Sequence, residues 1–212
     1  MNHVPENRNA QALGRTKKSK AYRGWWLIAC LVLITAWLGY VTSNIVAPAQ
    51  TEPSDNIDAV ISLAPQYDRL VTAQQIYDQS GAGHLVVSYF PGDRYLAVPS
   101  TAEEDIELVA DYCADIDPAY ITCATPDYAT TLGEAAMINR IAAAGSWTSL
   151  TVVTSKYHAF RTRLILDRCL DADLDVDVVF SEVHFNTELW LRYIIYENAA
   201  YLKAQLETLF RC

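Results

Sequence analysis

A run of 22 residues without a charged side chain, Trp25–Val46, divides this 212-residue chain into two parts. As an α-helix with a rise of about 1.5 Å per residue, the run would be roughly 33 Å long, which is enough to cross the hydrocarbon core of a bilayer. Trp25 and Trp26 at one end and Tyr40 near the other are aromatic residues of the kind enriched at membrane interfaces. The run therefore predicts one transmembrane helix at residues 25–46.

The charges on either side of this run predict its orientation. Residues 1–24 contain six basic residues and one acidic residue, whereas the chain after Val46 contains 10 basic and 24 acidic residues. By the positive-inside rule, residues 1–24 form a cytoplasmic basic tail, residues 47–56 a tether, and residues 57–212 a domain outside the cytoplasm. The chain after Val46 carries a net charge of about −14, which argues against nucleic acid as a partner.

Two other interpretations of the N-terminal segment compete with a permanent anchor. The sequence Ala47-Pro48-Ala49 is of the A-x-A type that a signal peptidase recognises, which would allow cleavage before Gln50. The apolar run, however, exceeds the usual length of about 7–15 residues in a signal peptide, and its polar head is long. The sequence Leu27–Cys30 imitates a lipoprotein cleavage box, but the apolar run continues far beyond the cysteine, so we reject a lipid anchor.

After residue 56, segments with the hydrophobic periodicity of β-strands alternate with segments that have the hydrophobic periodicity of α-helices. The predicted strands cover residues 58–63, 84–88, 121–123, 150–154 and 175–180, and the predicted helices cover residues 67–80, 103–114, 135–144, 157–169 and 187–210. Strands separated by helices indicate an α/β fold with a parallel sheet covered on both faces. On the last helix we assign Leu202 and Leu206, among other apolar residues, to the core.

Four cysteines would lie outside the cytoplasm, where disulfides persist. They are Cys113, Cys123, Cys169 and Cys212, and they allow three pairings. We favour Cys113 with Cys123 and Cys169 with Cys212, which would close loops of about 10 and about 44 residues and stabilise the fold by roughly 3 and 4 kcal/mol. Buried free thiols are the alternative.

The junction VVTSKYHAFR at residues 152–161 is the strongest candidate for a ligand site. A β-branched strand ends there and a helix begins, and open parallel sheets bind ligands at such junctions. Thr154 or Ser155 would cap the helix, whose N-terminus readily binds anions. His158 and Arg161 would share a helix face, and Arg161 could hold a phosphate or carboxylate through two N–H groups. For Ser155 alone, capping without a further role is the alternative.

A second candidate precedes the alanine-rich helix. Thr131 and Glu134 have the T-x-x-E spacing of a capping box, in which each side chain accepts a hydrogen bond from the backbone N–H of the other residue. That structural role would be sufficient to explain both residues. If the helix begins beside the strand that leads to His158, however, Glu134 and His158 could face one cleft as base and acid.

A calcium loop is a pattern that we reject. Acidic residues match positions 1, 3, 5, 7 and 12 of such a loop at Asp171, Asp173, Asp175, Asp177 and Glu182. Position 6 requires glycine for a sharp turn, and Val176 stands there. Because apolar residues alternate with the acids, the segment predicts a strand with one solvated face, and we expect no metal site.

Four elements of the sequence resemble one known family. They are Asp58-Ala59 at the first strand, DRLVTAQQIY at residues 68–77, Thr131 with Ala135, and VVTSKYH with Arg161. On these residues the chain resembles the YdcF-like family, a domain of unknown function that includes membrane-anchored envelope proteins of the SanA/ElyC type. The resemblance implies a Rossmann-like three-layer α/β/α sandwich with a mostly parallel sheet and a pocket at the carboxyl ends of its strands. It also implies a part in cell-wall or surface-polymer metabolism and barrier integrity.

With the predicted anchor, the resemblance implies a protein that acts on or senses an anionic cell-envelope component. Thr131, Thr154 and Ser155 would bind the anionic group and Arg161 would clamp it, while His158 and Glu134 would transfer protons if a reaction takes place. Family members usually have glycine clusters directly after the first and second strands, where this chain has the sequences SLAP at residues 62–65 and SYFP at residues 88–91. That difference favours the alternative of a non-catalytic binding or scaffold module. No cofactor is indicated, and whether the chain is an enzyme stays open.

Overall fold

The computed structural model describes residues 9–54, 56–90, 102–116 and 120–212, with side chains from Trp25 onward except those of residues 102 and 103. Helix α1 (Asn9–Val46) contains the apolar run, and its portion Trp25–Val46 is long and apolar enough to cross a membrane. Most of its side chains are exposed, unlike those of a core helix. The side chains of the basic tail lie outside the described part of the chain, so the orientation stays a prediction. Residues from Ser43 to Cys212 form a compact unit of their own.

Five parallel strands form one sheet. They are β1 (Ala59–Ser62), β2 (His84–Ser88), β3 (Ile121–Ala124), β4 (Ser149–Ser155) and β5 (Asp175–Ser181). Their order is β3-β2-β1-β4-β5, so successive crossovers run first in one direction and then in the other. This is a Rossmann-like order, and the chain reverses direction between β1 and β4, where such sheets bind ligands.

Helices cover both faces of the sheet. They are α2 (Tyr67–Ser80), α3 (Ala102–Ala114), α4 (Thr131–Gly145), α5 (Ala159–Cys169) and α6 (Thr187–Arg211). On one face, Ile61 of β1 packs in a cluster with residues of α4, α5 and α6. On the other face, Val60 packs with residues of α2 and α3. Neighbouring residues of one strand thus enter two separate cores, which confirms the three-layer α/β/α sandwich with a parallel sheet.

The buried face of α6 differs from the one that we assigned. Leu202 and Leu206 are 51% and 55% exposed, so their assignment to the core is wrong. The buried residues of this helix are instead Tyr193, Glu197, Tyr201, Ala204 and Thr208. Because α6 has apolar residues on both faces, hydrophobicity alone does not decide which face packs, and the packed face contains a buried carboxylate.

The cysteines and the predicted tether both tie outer parts of the domain to the sheet. Cys113 and Cys123 join α3 to β3, and Cys169 and Cys212 join the end of α5 to the end of the chain, so both favoured disulfides are confirmed. In the tether, the Gln50 side chain exchanges hydrogen bonds with the backbone of Phe180 at 3.4 Å. The segment is therefore not a free linker, because it lies along the edge strand β5.

Candidate functional site

A cavity of about 350 Å³ opens at the carboxyl ends of β1 and β4. Its size lies within the range of about 300–1,000 Å³ that is usual for small-molecule sites. Among the residues that line it are Arg69, Thr131, Glu134, His158, Arg161 and Glu197. Four of the predicted site residues, Thr131, Glu134, His158 and Arg161, are therefore brought together, whereas Thr154 and Ser155 lie behind the wall.

Thr154 and Ser155 are fully buried at the end of β4. Neither side chain caps a helix, because a 3₁₀ turn (Lys156–His158) follows the strand and α5 begins only after it. The Thr154 hydroxyl oxygen accepts a hydrogen bond from Thr162 at 3.5 Å, and Ser155 Oγ accepts one from Arg69 Nε at 2.8 Å. Ser155 stands at the N-cap position of the 3₁₀ turn, but its side chain makes no cap hydrogen bond there, so the predicted side-chain cap is wrong.

Arg69 is the most unusual residue of the cavity wall. Its side chain is on α2 and the residue is only 2% exposed. Its Nη1 atom donates to the carbonyl oxygens of Leu63, at 3.4 Å, and Ala64. None of the ion pairs among the described residues includes Arg69. A buried guanidinium is costly without a countercharge. Two described carboxyls interact with its charge, Glu134 and Asp105, but the pKa of each is raised by burial, so the described residues compensate the positive charge of the wall only in part.

The start of α4 is built differently from the predicted capping box. Thr130 is the cap, and its hydroxyl accepts a hydrogen bond from the backbone N–H of Gly133 at 3.1 Å. Thr131 is the first residue of the helix, so the assignment of Thr131 as the cap is wrong by one residue. A Cβ atom at Gly133 would lie 2.3 Å from the carbonyl oxygen of Tyr128, so only glycine lets the helix start against this loop.

Glu134 points away from the cap and toward the strands. Its Oε1 atom accepts hydrogen bonds from the backbone N–H of Ala64, at 2.9 Å, and from Ser88 Oγ, at 2.8 Å. Burial raises the pKa of this carboxyl and outweighs the two hydrogen bonds, which lower it. Because Oε1 takes both hydrogen bonds, Oε2 is the oxygen available to the cavity.

His158 contacts Thr131 across the cavity. Its Nε2 atom lies 3.2 Å from Thr131 Oγ1, and the residue is buried. Burial and the nearby charge of Arg161 lower the pKa of His158 to about 4, so the imidazole is neutral near pH 7. Glu134 and His158 thus line one cavity, as the sequence suggested. The directions of their pKa shifts favour Glu134 as acid and His158 as base, the reverse of the roles that we assigned.

Arg161 is held by a residue that the sequence analysis missed. Its Nε and Nη2 atoms donate to the two carboxylate oxygens of Glu197, each at 2.8 Å. Burial would raise the pKa of Glu197, but the charge and hydrogen bonds of Arg161 lower it to about 2. Two guanidinium nitrogens of Arg161 are therefore occupied from within the protein, which leaves less of the residue for the anion clamp that we predicted.

Aromatic packing holds His158 in place. The Tyr157 ring centroid lies 4.2 Å from that of Tyr193 and 5.5 Å from that of Phe185. The Tyr157 hydroxyl also accepts a hydrogen bond from Gln66 Nε2 at 2.8 Å. These contacts fix the 3₁₀ turn between β4 and α5, and with it the position of the imidazole.

A metal centre is absent from the part of the chain that the structure describes, since no three His, Cys, Asp or Glu side chains lie close enough there to hold an ion. Two residues with calcium-loop spacing, Asp175 and Asp177, belong to β5. Asp177 accepts hydrogen bonds from the backbone and hydroxyl of Ser54, at 2.8 and 2.6 Å. This acid therefore fastens the N-terminal segment to the sheet.

Comparison with known proteins leaves the family open. No family model matches the sequence, and no curated protein matches it. Among solved structures, the chain is similar to a crystal structure of pantoate-beta-alanine (pantothenate synthetase) from Thermus thermophilus, with 14% identity and a TM-score of 0.34. A second structure, of pantothenate synthetase from the same organism, has 15% identity and a TM-score of 0.33. Each match covers 80% of both chains, and a likeness this weak carries no argument about function.

Proposed function

We propose that this chain is a single-pass membrane protein whose YdcF-like domain lies outside the cytoplasm and binds an anionic group of a cell-envelope component. The apolar segment Trp25–Val46 supports the anchor, and the basic residues before it support a cytoplasmic N-terminus. The two disulfides of the domain support an oxidising compartment.

The observation that carries the proposal is the buried charge of Arg69. The charges of Arg161 and Glu197 compensate each other through two hydrogen bonds. The raised pKa of Glu134 reduces the negative charge that it can contribute. An anionic ligand would therefore supply the missing countercharge of Arg69. Nε and Nη1 of Arg69 already donate within the protein, and Nη2 makes no hydrogen bond to a residue that the structure describes, so Nη2 is the nitrogen left for that ligand.

The rest of the cavity indicates what else the ligand contains. Its wall also includes side chains of three helices with apolar surface: Leu132, Ile165, Tyr196, Ala200 and Ala204. Such a wall favours an apolar group next to the anionic one. The ligand class that fits best is thus an amphiphile, as expected of an envelope component, with a phosphate or carboxylate at one end.

Anion binding is tested by thermal unfolding of the full chain in maltoside micelles, with phosphate or chloride at equal ionic strength. We expect phosphate to raise the melting temperature of the wild type, because a ligand that binds the folded state stabilises it. Arg69→Met should abolish this rise. Arg140→Met is the matched control, since Arg140 is an exposed arginine paired with Asp127. A wild-type chain that responds to phosphate no more than to chloride would contradict the proposal.

Topology has its own test, because it is independent of the ligand. A bacterial alkaline phosphatase fused after Cys212 should be active, since this enzyme folds only outside the cytoplasm. A green fluorescent protein fused at the same position should not fluoresce, since it does not fold correctly after export. The opposite pair of results would place the domain inside the cell.

A further inference from the structure

Three side chains of the cavity lie in series. Thr131 Oγ1 is 3.2 Å from Nε2 of His158, and Nδ1 of the same imidazole is 3.7 Å from Oε2 of Glu197. A hydroxyl, an imidazole and a carboxylate in this order are the parts of a nucleophile, its base and the acid that orients the base. They come from three separate elements: α4, the 3₁₀ turn and α6.

One tautomer of His158 satisfies the whole series. Nδ1 is buried, and it makes no hydrogen bond with any residue that the structure describes. With its proton on Nδ1, the ring faces the ionised Glu197 carboxylate, and Nε2 is free to accept the proton of the Thr131 hydroxyl. The 3.7 Å separation is longer than a hydrogen bond, but catalytic contacts of this kind are often long before a substrate binds.

The carboxylate is itself fixed. Arg161 holds both oxygens of Glu197, and the residue is 1% exposed. This pairing keeps Glu197 ionised and limits its rotation, so the carboxylate can fix the orientation of the imidazole through Nδ1. Glu197 and Arg161 are therefore positioning residues that act through His158.

We propose that Thr131 is a nucleophile activated by His158, and that the domain cleaves an acyl ester of an anionic compound. This rests on the proposed function, because Arg69 would hold the anionic group of the same substrate. The apolar wall of α4, α5 and α6 next to Thr131 would hold the acyl group. Because His158 is neutral near pH 7, one nitrogen of its ring has a lone pair that can accept a proton.

The reaction balances with water as the second substrate. Thr131 Oγ1 forms a bond to the ester carbonyl carbon while its proton passes to Nε2 of His158. The bond from that carbon to the alcohol oxygen then breaks, and the alcohol leaves with the proton from Nε2. A water molecule attacks the acyl–Thr131 ester with His158 taking its proton, and the carboxylic acid leaves as Thr131 regains a hydrogen.

A fluorophosphonate probe tests the nucleophile without knowledge of the substrate. An activated hydroxyl displaces fluoride from phosphorus and keeps the phosphonyl group, which mass spectrometry locates. We expect the full chain in maltoside micelles to be labelled on Thr131, and Thr131→Ser to be labelled as well. Thr131→Val should not be labelled. Thr187→Val is the matched control, because Thr187 is also the first residue of a helix but is exposed.

Hydrolysis of p-nitrophenyl butyrate gives the rates. Thr131→Val and His158→Gln should each lower kcat by on the order of 10³-fold, whereas Thr131→Ser should retain activity. Glu197→Gln should lower kcat with little change in KM, since a positioning residue affects the base and not the binding of the ester. The melting temperature of every variant is measured beside these rates, and the smaller change Thr131→Ser keeps the test valid if Thr131→Val does not fold.

The outcomes separate this inference from the proposed function. Absence of labelling, together with equal ester hydrolysis by wild type and Thr131→Val, overturns the nucleophile even if phosphate stabilises the chain. Labelling confined to another residue overturns it too. If Thr131 is labelled while phosphate has no effect on stability, the nucleophile stands and the anion site at Arg69 fails.

Discussion

Arg69 on α2 donates a hydrogen bond from Nε to Oγ of Ser155 at the end of β4, over 2.8 Å. Both residues are buried, so the bond joins a helix of one layer to the sheet directly behind the cavity wall. It gives Ser155 a role that differs from the direct ligand contact that we expected: the hydroxyl orients the guanidinium that faces the cavity.

Removal of this hydroxyl should therefore affect stability and anion binding together. Ser155→Ala leaves a buried charged donor without its acceptor, which should lower the free energy of unfolding by about 2 kcal/mol and weaken phosphate binding. Thr154→Val is the neighbouring control, since the Thr154 hydroxyl accepts its hydrogen bond from Thr162 and not from Arg69. Chemical unfolding of both variants with and without phosphate measures the two effects. Equal phosphate responses in the two variants would show that Ser155 does not position Arg69.

His158 should make stability depend on pH. Its pKa is about 4 in the folded protein and about 6.5 in the unfolded chain, so the unfolded state binds a proton first as the pH falls. A neutral His158 makes its full contribution to stability above about pH 6.5. As the pH falls from there to about 4, the free energy of unfolding decreases by roughly 3 kcal/mol. In denaturant titrations at about pH 6.5 and about pH 4, we expect the free energy of unfolding of His158→Gln not to show this decrease. Parallel curves for wild type and variant would rule out a buried neutral imidazole.

Glu134 should have the opposite dependence. A carboxyl whose pKa is raised in the folded state contributes most to stability below its unfolded pKa. This contribution is lost as the pH rises through the folded pKa. Glu134→Gln keeps an oxygen for the Ala64 and Ser88 hydrogen bonds but has no charge to bury. Relative to wild type, the variant should gain stability as the pH rises above the unfolded pKa of about 4.5, which denaturant titrations of both proteins over this pH range measure. A variant that loses stability over this range would mean that Glu134 is ionised at little cost.

The disulfide at the chain terminus should contribute more stability than the shorter one. Cys169 and Cys212 are 43 residues apart and Cys113 and Cys123 are 10 apart, so loop closure predicts losses of about 4 and about 3 kcal/mol when each is removed. Cys212→Ser and Cys113→Ser are compared by denaturant unfolding under oxidising conditions. An unchanged stability after treatment of the wild type with reductant would contradict both values.

Much of the fold could be predicted from sequence because local pattern and topology agree. The bounds of α2 and β2 match the predicted ranges, since each is delimited by a turn residue such as Gly81, which ends α2 in a left-handed conformation. The predicted range of α4 begins at residue 135, four residues after the observed start, because the alanine-rich periodicity is visible only from there; the cap, predicted at Thr131, is Thr130.

The site was predicted less completely because its charges are paired over long sequence distances. His158, Thr131, Glu134 and Arg161 were identified from the elements that carry them. Arg69 and Glu197 were not, although both fall on the buried face of an amphipathic helix, where a charged residue is unexpected. Nothing local shows that Glu197 meets Arg161, which is 36 residues away, or that Arg69 meets Ser155 across 86 residues. A search for charges on apolar helix faces would have found both.

The central claim is that the cavity binds an anion through Arg69. Isothermal titration calorimetry of the full chain with dihexanoyl phosphatidic acid, below its micellar concentration and at fixed ionic strength, tests it most directly. We predict one ligand per chain, with affinity reduced by at least about tenfold in Arg69→Met and unchanged in Arg140→Met. Equal affinities of the two variants, or no binding by the wild type, would contradict the account.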